Sequence, residues 1–470
     1  MRLLPVLLAA TALSACTLGK DFEPPSVELA SSYSAPTRIA PAEERWWKRF
    51  GDSTLEALVD RALSQNLDIA AAMARVDQAR AAARGAGAAL LPTVDANASA
   101  DGVHQSLRTP VGGVSDRLGL PRDYSLYQLG GQASWELDLF GALRRGREAA
   151  RAELGGAQAE AAAVRLSISA ETVEAYLQLR GLQARYEVAS RQLDTERKLS
   201  DLVRQQVDQG LVAERELHRI IGEKEGLEAS LAPLRAAIRA QINRLDVLTG
   251  QQAGLDPAGL GTIRGIPEAP DPSGSVEPAG LMRRRPDVVA AERRLAAAST
   301  RIGVAMAEYY PRISLSGLLG VASVGTGGLF TGKAVQANGG GVLRWRLFDF
   351  GRVDAEVATA KGREAEALAQ YRASILRATE DVENALSRLA EARTEIVIRK
   401  REVAELIRSR DQARQAYEGG VLALVAVLDA DRALLDASDR LAVARAEAAR
   451  ASVSATRALG GGWGVEELRR

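Results

Sequence analysis

The chain has one cysteine in 470 residues, Cys16, which excludes an internal disulfide framework and a cysteine-rich zinc centre. Its two histidines, His104 and His218, are too few for a histidine-rich metal site. Aromatic residues make up only 4%, while Ala, Arg, Glu and Leu crowd long stretches, a mix that suits long helices better than a compact core of rings. Neither sign of charge dominates: 61 Lys and Arg against 60 Asp and Glu leave a net charge of +1. That balance argues against a general polyanion-binding surface, and no nucleic-acid partner is expected. No run of about 18 uninterrupted apolar residues occurs, so no spanning helix is expected. Strands remain as a way across a membrane.

Catalytic patterns are also missing. No Gly-x-Ser-x-Gly elbow occurs, and His218 sits in a charged helical run without a nucleophile pattern, so no enzyme is expected. Gly327–Ala334 nearly spells a phosphate loop but ends in Ala334 where Ser or Thr would hold magnesium. It also lies between two predicted strands, and reads as an external loop. Arg283-Arg284-Arg285 runs into Pro286-Asp287 and reads as a helix start.

What is present begins at the amino terminus. Met1-Arg2 opens a basic start, and Leu3–Leu13 is an apolar core too short to span a bilayer. It ends in Leu13-Ser14-Ala15-Cys16, which resembles the bacterial lipoprotein signal, whose cysteine is lipidated and becomes the first residue of the mature protein. Thr17 follows, not Asp; in the systems resembled this favours transfer to the outer membrane. The expected attachment is a covalent lipid on Cys16, with no other cofactor and no metal.

The remainder is a duplicated unit. Pro92 and Pro311, each closing an Ala-rich helical stretch, are 219 positions apart. Trp135-Glu136-Leu137-Asp138-Leu139-Phe140-Gly141 and Trp345-Arg346-Leu347-Phe348-Asp349-Phe350-Gly351 are 210 apart. The same 210 separates Gly210 from Gly420 and Gly250 from Gly460. One shift of nine residues means one longer loop in the first half. Each half reads as a helix, roughly 54–90 or 287–309, then a strand pair with a loop. A very long helix follows, roughly 142–208 or 353–417. A glycine turn and a return helix complete the half. Sixty-odd residues at about 1.5 Å each give a helix of about 100 Å. The expected division is a signal peptide over 1–15, a lipid-anchored segment over 16–53, repeats over 54–250 and 280–460, a linker over 251–279 and a tail over 461–470. The strands are expected within 93–139 and 311–350.

Those strands alternate. Val94, Ala96, Ala98 and Ala100 share one face, and Ala133, Trp135, Leu137 and Leu139 another. Ile313 and Leu315 alternate with Arg312, Ser314 and Ser316, and Leu343, Trp345 and Leu347 with Arg344 and Arg346. The pattern fits a barrel with lipid outside and water inside, and equally a soluble antiparallel sheet. The export signal and the lack of other sheet partners favour the membrane. Four strands close no useful barrel, so several chains must share one; three give twelve strands. On the long helices, Leu166, Val173, Leu177, Ala184 and Val188 step by 7, 4, 7 and 4, and Tyr371, Ile375, Val382 and Leu386 by 4, 7 and 4. Eleven-residue spacing keeps packing nearly straight. The expected class is mainly α, with long antiparallel hairpins forming a helical tunnel and a shared β-barrel.

These landmarks together resemble the bacterial outer-membrane channel (outer membrane factor) family of tripartite efflux systems, in its lipoprotein branch. The most specific pieces are Trp135–Gly141, Arg284-Arg285-Pro286-Asp287-Val288 and Tyr310-Pro311-Arg312-Ile313. The resemblance implies a homotrimer with a twelve-stranded barrel in outer-membrane lipid and a periplasmic helical tunnel. It implies passive conduction, driven by an inner-membrane transporter through a periplasmic adaptor protein. It places a closed periplasmic gate just after the second glycine turn, with Val425 and Asp429 at constriction positions and Arg432 as a charge partner. Glu418 departs from the pattern, where relatives often carry a base. The adaptor is expected to grip grooves near Gly210 and Gly420. Two other readings stay open: the exit duct of a type I protein secretion system, and a non-conducting periplasmic coiled-coil scaffold on a lipid anchor.

Overall fold

The computed structural model describes residues 17–34, 38–274 and 277–462; Cys16 and the signal segment lie outside them. The chain forms two compact units, each drawing on both repeats. Two helices run through both units. They are α4 (Ala142–Asp208) and α8 (Arg352–Glu418), each 67 residues long. Among the described residues, no helix is long and apolar enough to cross a membrane.

The first unit holds residues up to Pro25, Asp77–Leu154 and Arg293–Ala369. Its centre is an antiparallel sheet of β2 (Thr93–His104), β3 (Asp123–Leu137), β5 (Arg312–Ser323) and β6 (Val335–Arg344), paired in that order. β3 joins β5 with Trp135 opposite Leu315 and Ala133 opposite Gly317. β2 and β6 are therefore edges, each with one row of backbone groups unpaired in this chain. No residue of the four strands is buried, and Val94, Leu319, Val342 and Leu343 are among the large apolar side chains left exposed. A soluble antiparallel sheet would cover one face; this one covers neither.

The fourth strand lies earlier than its apolar alternation suggested. Trp345 and Leu347 fall beyond β6, which runs through Gly339-Gly340-Gly341 and so carries little side-chain pattern. Trp345 serves the corner instead: its Nε1 donates to the Tyr309 carbonyl at 3.0 Å, as Trp135 Nε1 does to Leu90 at 3.0 Å. Likewise Leu139 lies past the end of β3. The longer loop, between β2 and β3, holds a short helix, α3 (Pro110–Arg117), capped by Thr109. At the sheet-to-helix corner Asp138 accepts from the amides of Leu143 and Arg144, and Asp349 from those of Gly351 and Val353. Gly141 and Gly351 take φ of 81° and 85° there, where a Cβ would be strained.

The second unit holds Ser26–Val76, Gly155–Glu292 and Gln370 onward. The expected first helix is two, α1 (Ser53–Gln65) and α2 (Leu67–Ala88), the latter entering this unit with its first residues. Asn66 makes the break at ψ 132°. Its Oδ1 caps Asp68 and Ile69, and its Nδ2 donates to the Leu248 carbonyl. Trp46, Trp47 and Phe50 pack with Leu55 and Val59 of α1 and with Val173, Tyr176 and Leu177 of α4. Ile242 and Leu245 of α5 (Glu214–Leu248) and Val453 of α9 (Leu424–Ala458) close this core. The second stripe is wholly inside, with Tyr371, Ile375, Val382 and Leu386 all buried. Within 251–279 the chain is less irregular than expected: β4 (Ser273–Gly274) pairs in parallel with β1 (Ala40–Pro41). The remaining α-helices among the described residues are α6 (Leu281–Arg284) and α7 (Pro286–Ala307), the latter shared between the units.

Candidate functional site: the hairpin tips

Both hairpins turn in the same way. Gly210 and Gly420 lie at φ 70° and 73°; their amides donate to Val207 and Tyr417, and the next amides to Gln206 and Ala416. This is the left-handed glycine stop that ends a helix with its carbonyls satisfied. Both glycines are exposed, with no atom within 4 Å of where a Cβ would stand.

Beside the turns, Val203, Ile220, Leu424 and Leu428 form a small apolar cluster that joins α4, α5 and α9. Val425 is only half-buried, and Leu424 and Leu428 do the packing. Asp429 and Arg432 share the other face of α9. Arg219 Nη2 lies 3.7 Å from Asp429 Oδ1, Arg219 Nε 3.4 Å from Glu223 Oε1, and Arg432 Nη2 3.8 Å from Glu223 Oε1. Asp429, Arg219, Glu223 and Arg432 are thus a line of alternating charge that ties α9 to α5. Arg219 and Glu223 were not foreseen as members. Glu418 pairs with Arg414 at 3.2 Å, and Tyr417 Oη donates to Gln206 Oε1 at 3.2 Å, holding the end of α8 to α4.

Two acids near the tips are buried. Asp431 is 3% exposed, with Arg410 Nη1 3.7 Å from its Oδ1. Glu196 on α4 is 6% exposed; its Oε1 accepts from Gln192, and its Oε2 has no hydrogen-bond partner. Burial pushes both carboxyls above their ordinary range; Arg410 and Arg414 oppose it at Asp431, while Asp431 and Glu223 add to it at Glu196. The signal was in the spacing. Leu424, Leu428 and Asp431 step by 4 and 3, and Ala189, Leu193 and Glu196 likewise, so each acid continues a buried stripe. A group whose pKa is raised on folding adds stability below its ordinary value, near 4, and loses it as pH rises through the raised one. The thermal midpoint of detergent-extracted protein should therefore rise on acidification from neutral pH towards about 4. Glu196→Gln with Asp431→Asn should flatten that slope, and an unchanged slope would remove these two acids as its source.

An open groove of about 1120 Å³ runs between α4, α5 and α9, with Leu182, Glu196, Glu223, Leu428 and Arg432 among its lining. It faces the charge line, so a partner seated there would meet both apolar and ionic groups. Cys16 lies outside the described residues.

A bare sheet open at both edges, in a chain that also has two hairpins each pairing a 67-residue with a 35-residue helix, is the build of a channel subunit. The chain belongs to the family of outer membrane efflux proteins, whose sequence model matches residues 58–251 and 280–461. It is 30% identical to the pyoverdine export outer membrane protein OpmQ of Pseudomonas putida, over all of this chain and 98% of that one. It is 28% identical to nodulation protein T of Rhizobium leguminosarum bv. viciae, over 97% and 92%. Among solved structures, the outer-membrane channel OprN is 33% identical with a TM-score of 0.85, covering 95% of this chain and all of that one. The open state of the Neisseria gonorrhoeae MtrE outer membrane channel is 25% identical at 0.84, covering 96% and 99%. The protein is an outer-membrane channel with a mainly helical fold and a membrane β part.

Proposed function

We propose that three copies close one twelve-stranded barrel and form the passive exit duct of a tripartite efflux system, with a periplasmic adaptor and an inner-membrane transporter supplying contact and energy. The chain is not an enzyme, and its one attached group is lipid on Cys16. Val425, Asp429 and Arg432 form the gate with Arg219 and Glu223, and the adaptor grips the tips around Gly210 and Gly420. Small-molecule or metal export is favoured by the names of relatives: pyoverdine export for OpmQ, and cation efflux for CusC of Escherichia coli, 26% identical over 98% of this chain.

The observation that carries this reading is the pair of open edges on a sheet with no covered face. Unpaired backbone groups are not tolerated in lipid, so the edges must meet. Two copies would give eight strands, a barrel filled by its own side chains; three leave a lumen.

The duplication fixes how they meet. β3 and β5 join the two repeats inside the chain; β6 and β2 of the next copy are the equivalent strands. Moving Ala133 by 210 and Gly317 by 219 turns their pairing into Leu343 opposite Ala98 of the next copy. Leu343→Cys with Ala98→Cys should therefore oxidise to covalent trimers in membranes. Leu343→Cys with Ala96→Cys, a diagonal pair about 7–8 Å apart, should not. Absence of crosslinks from the first pair, or equal yield from both, would overturn this assembly.

A further inference from the structure

Arg145, in the first turn of α4, is a cation only 4% exposed, and it belongs neither to the sheet nor to the tips. Its Nε donates to the Leu18 carbonyl at 3.0 Å and its Nη2 to that of Gly19 at 3.0 Å. Nη2 also lies 2.9 Å from Asp21 Oδ1, and Nη1 donates to Glu148 at 2.7 Å. Three of its four partners therefore come from the amino-terminal arm. A guanidinium presents its donors in a rigid fork, and a buried one left without acceptors is costly. The arm and the arginine hold each other.

The seat around them is lined by glycine. A Cβ on Gly303 of α7 would stand 2.6 Å from the Leu18 carbonyl oxygen, and one on Gly141 2.7 Å from Thr17 Cγ2. Gly19 takes φ 86° and approaches Gly303 to the same degree, with a Cβ 3.0 Å from its Cα. The Leu18 amide donates to the Phe140 carbonyl at 3.4 Å. Phe140 itself stacks on Tyr310, ring centres 4.6 Å apart, where β3 hands over to α4.

The duplicated frame does not require this seat. The counterpart of Arg145 in the second repeat is Ala355, and the counterpart of Gly303 in the first is Arg84. The seat occurs once per chain, where an amino-terminal arm exists to fill it.

We infer that Arg145 is a positioning residue for the amino-terminal arm that follows the anchor residue: it clamps Thr17–Asp21 onto the Phe140–Gly141 corner. The inference rests on the reading of Cys16 as the lipid-bearing residue. Thr17, which follows the lipid-bearing position in the chain, stands against Gly141. The arm is thus held on the sheet-to-helix corner from Thr17 to Asp21.

The test uses full-length protein in membranes with Lys20→Cys, an exposed position, carrying a nitroxide. A lipidated Cys16 has no free thiol, so one label per chain by mass supports the lipid reading and two labels reject it. The spectrum judges the clamp separately. An immobilised signal is expected in the parent, and a free-tail signal with Arg145→Ala. Arg145→Lys, which keeps the charge but loses the fork, should restore only part of the immobilised fraction. Gly303→Val, which fills the seat and keeps the arginine, should also free the arm. Leu343–Ala98 crosslinking in the same samples reports whether the sheet is still assembled. A free-tail signal in the parent, or an immobilised one in both Arg145→Ala and Gly303→Val, would overturn the clamp.

Discussion

Asp429→Ala should raise the single-channel conductance of the purified channel in a planar bilayer, with little change in its thermal midpoint. Asp429 is 67% exposed and its partner Arg219 35%, so the pair itself is worth at most about 1 kcal/mol. The effect comes from position. The substitution releases one end of the Asp429–Arg219–Glu223–Arg432 line, so α9 keeps only the Arg432–Glu223 pair as its ionic hold on α5 within that line. In the proposed assembly it also removes three negative charges from one narrow ring, where like charges concentrate the field. Arg219→Ala should loosen the same link and leave those charges in place. Matching increases from both variants would make the link dominant; a rise only from Asp429→Ala would make the charge ring dominant. Unchanged conductance in Asp429→Ala would take that residue out of the gate. Val425→Ala should do less, because Leu424 and Leu428 carry the apolar packing.

Arg285→Ala should cost about 2 kcal/mol of stability, a large loss for a site outside the apolar core. Its side chain is 11% exposed. Nη2 meets Asp287 at 2.7 Å and Asp381 at 2.9 Å, and Nη1 reaches the carbonyls of Ala378 and Ala458 at 3.4 Å each. One guanidinium thus joins the start of α7 to α8 and to the end of α9. Removing it leaves two carboxylates and two carbonyls short of a donor, although the carboxylates, about half exposed, recover part of this from water. Burial alone would raise the Asp287 pKa, but the hydrogen bond and charge of Arg285 outweigh it and leave it lowered. A lowered acid contributes stability above its ordinary value, near 4, and loses it as pH falls through the depressed one. Arg285→Ala should therefore lose stability near neutral pH and show a flatter decline below pH 4. Denaturant unfolding at several pH values checks both, and a loss under 1 kcal/mol would make this arginine a bystander. Arg285→Lys should fall between, since a lysine cannot make the forked contact.

Arg285 also marks how far the sequence carries. Its motif stood out beside Pro286, but the partners that matter, Asp381 and Ala458, are 96 and 173 positions away, beyond any local pattern. Glycine punctuation marked the ends of the long helices, because glycine takes the left-handed stop without steric cost. It failed at Asn66, whose side chain breaks the helix by capping the next one, and at Gly339–Gly341, where a strand carries no side-chain signal. At the tip the family pattern pointed to Asp429 and Arg432; Asp431 reads as part of the same solvated face but is buried, and Glu196 carries no local signal beyond its place on an apolar stripe. Arg145 had no sequence signature, since its partners are mostly backbone carbonyls of a distant arm.

Asp429 and Arg219 stand 210 residues apart, so they occupy one and the same position in the two repeats. A ring of six identical half-length proteins would hold six like charges there, all repelling. With both halves in one polypeptide, that one position can hold a base in the first and an acid in the second, and mutual repulsion is replaced by a clasp between neighbours.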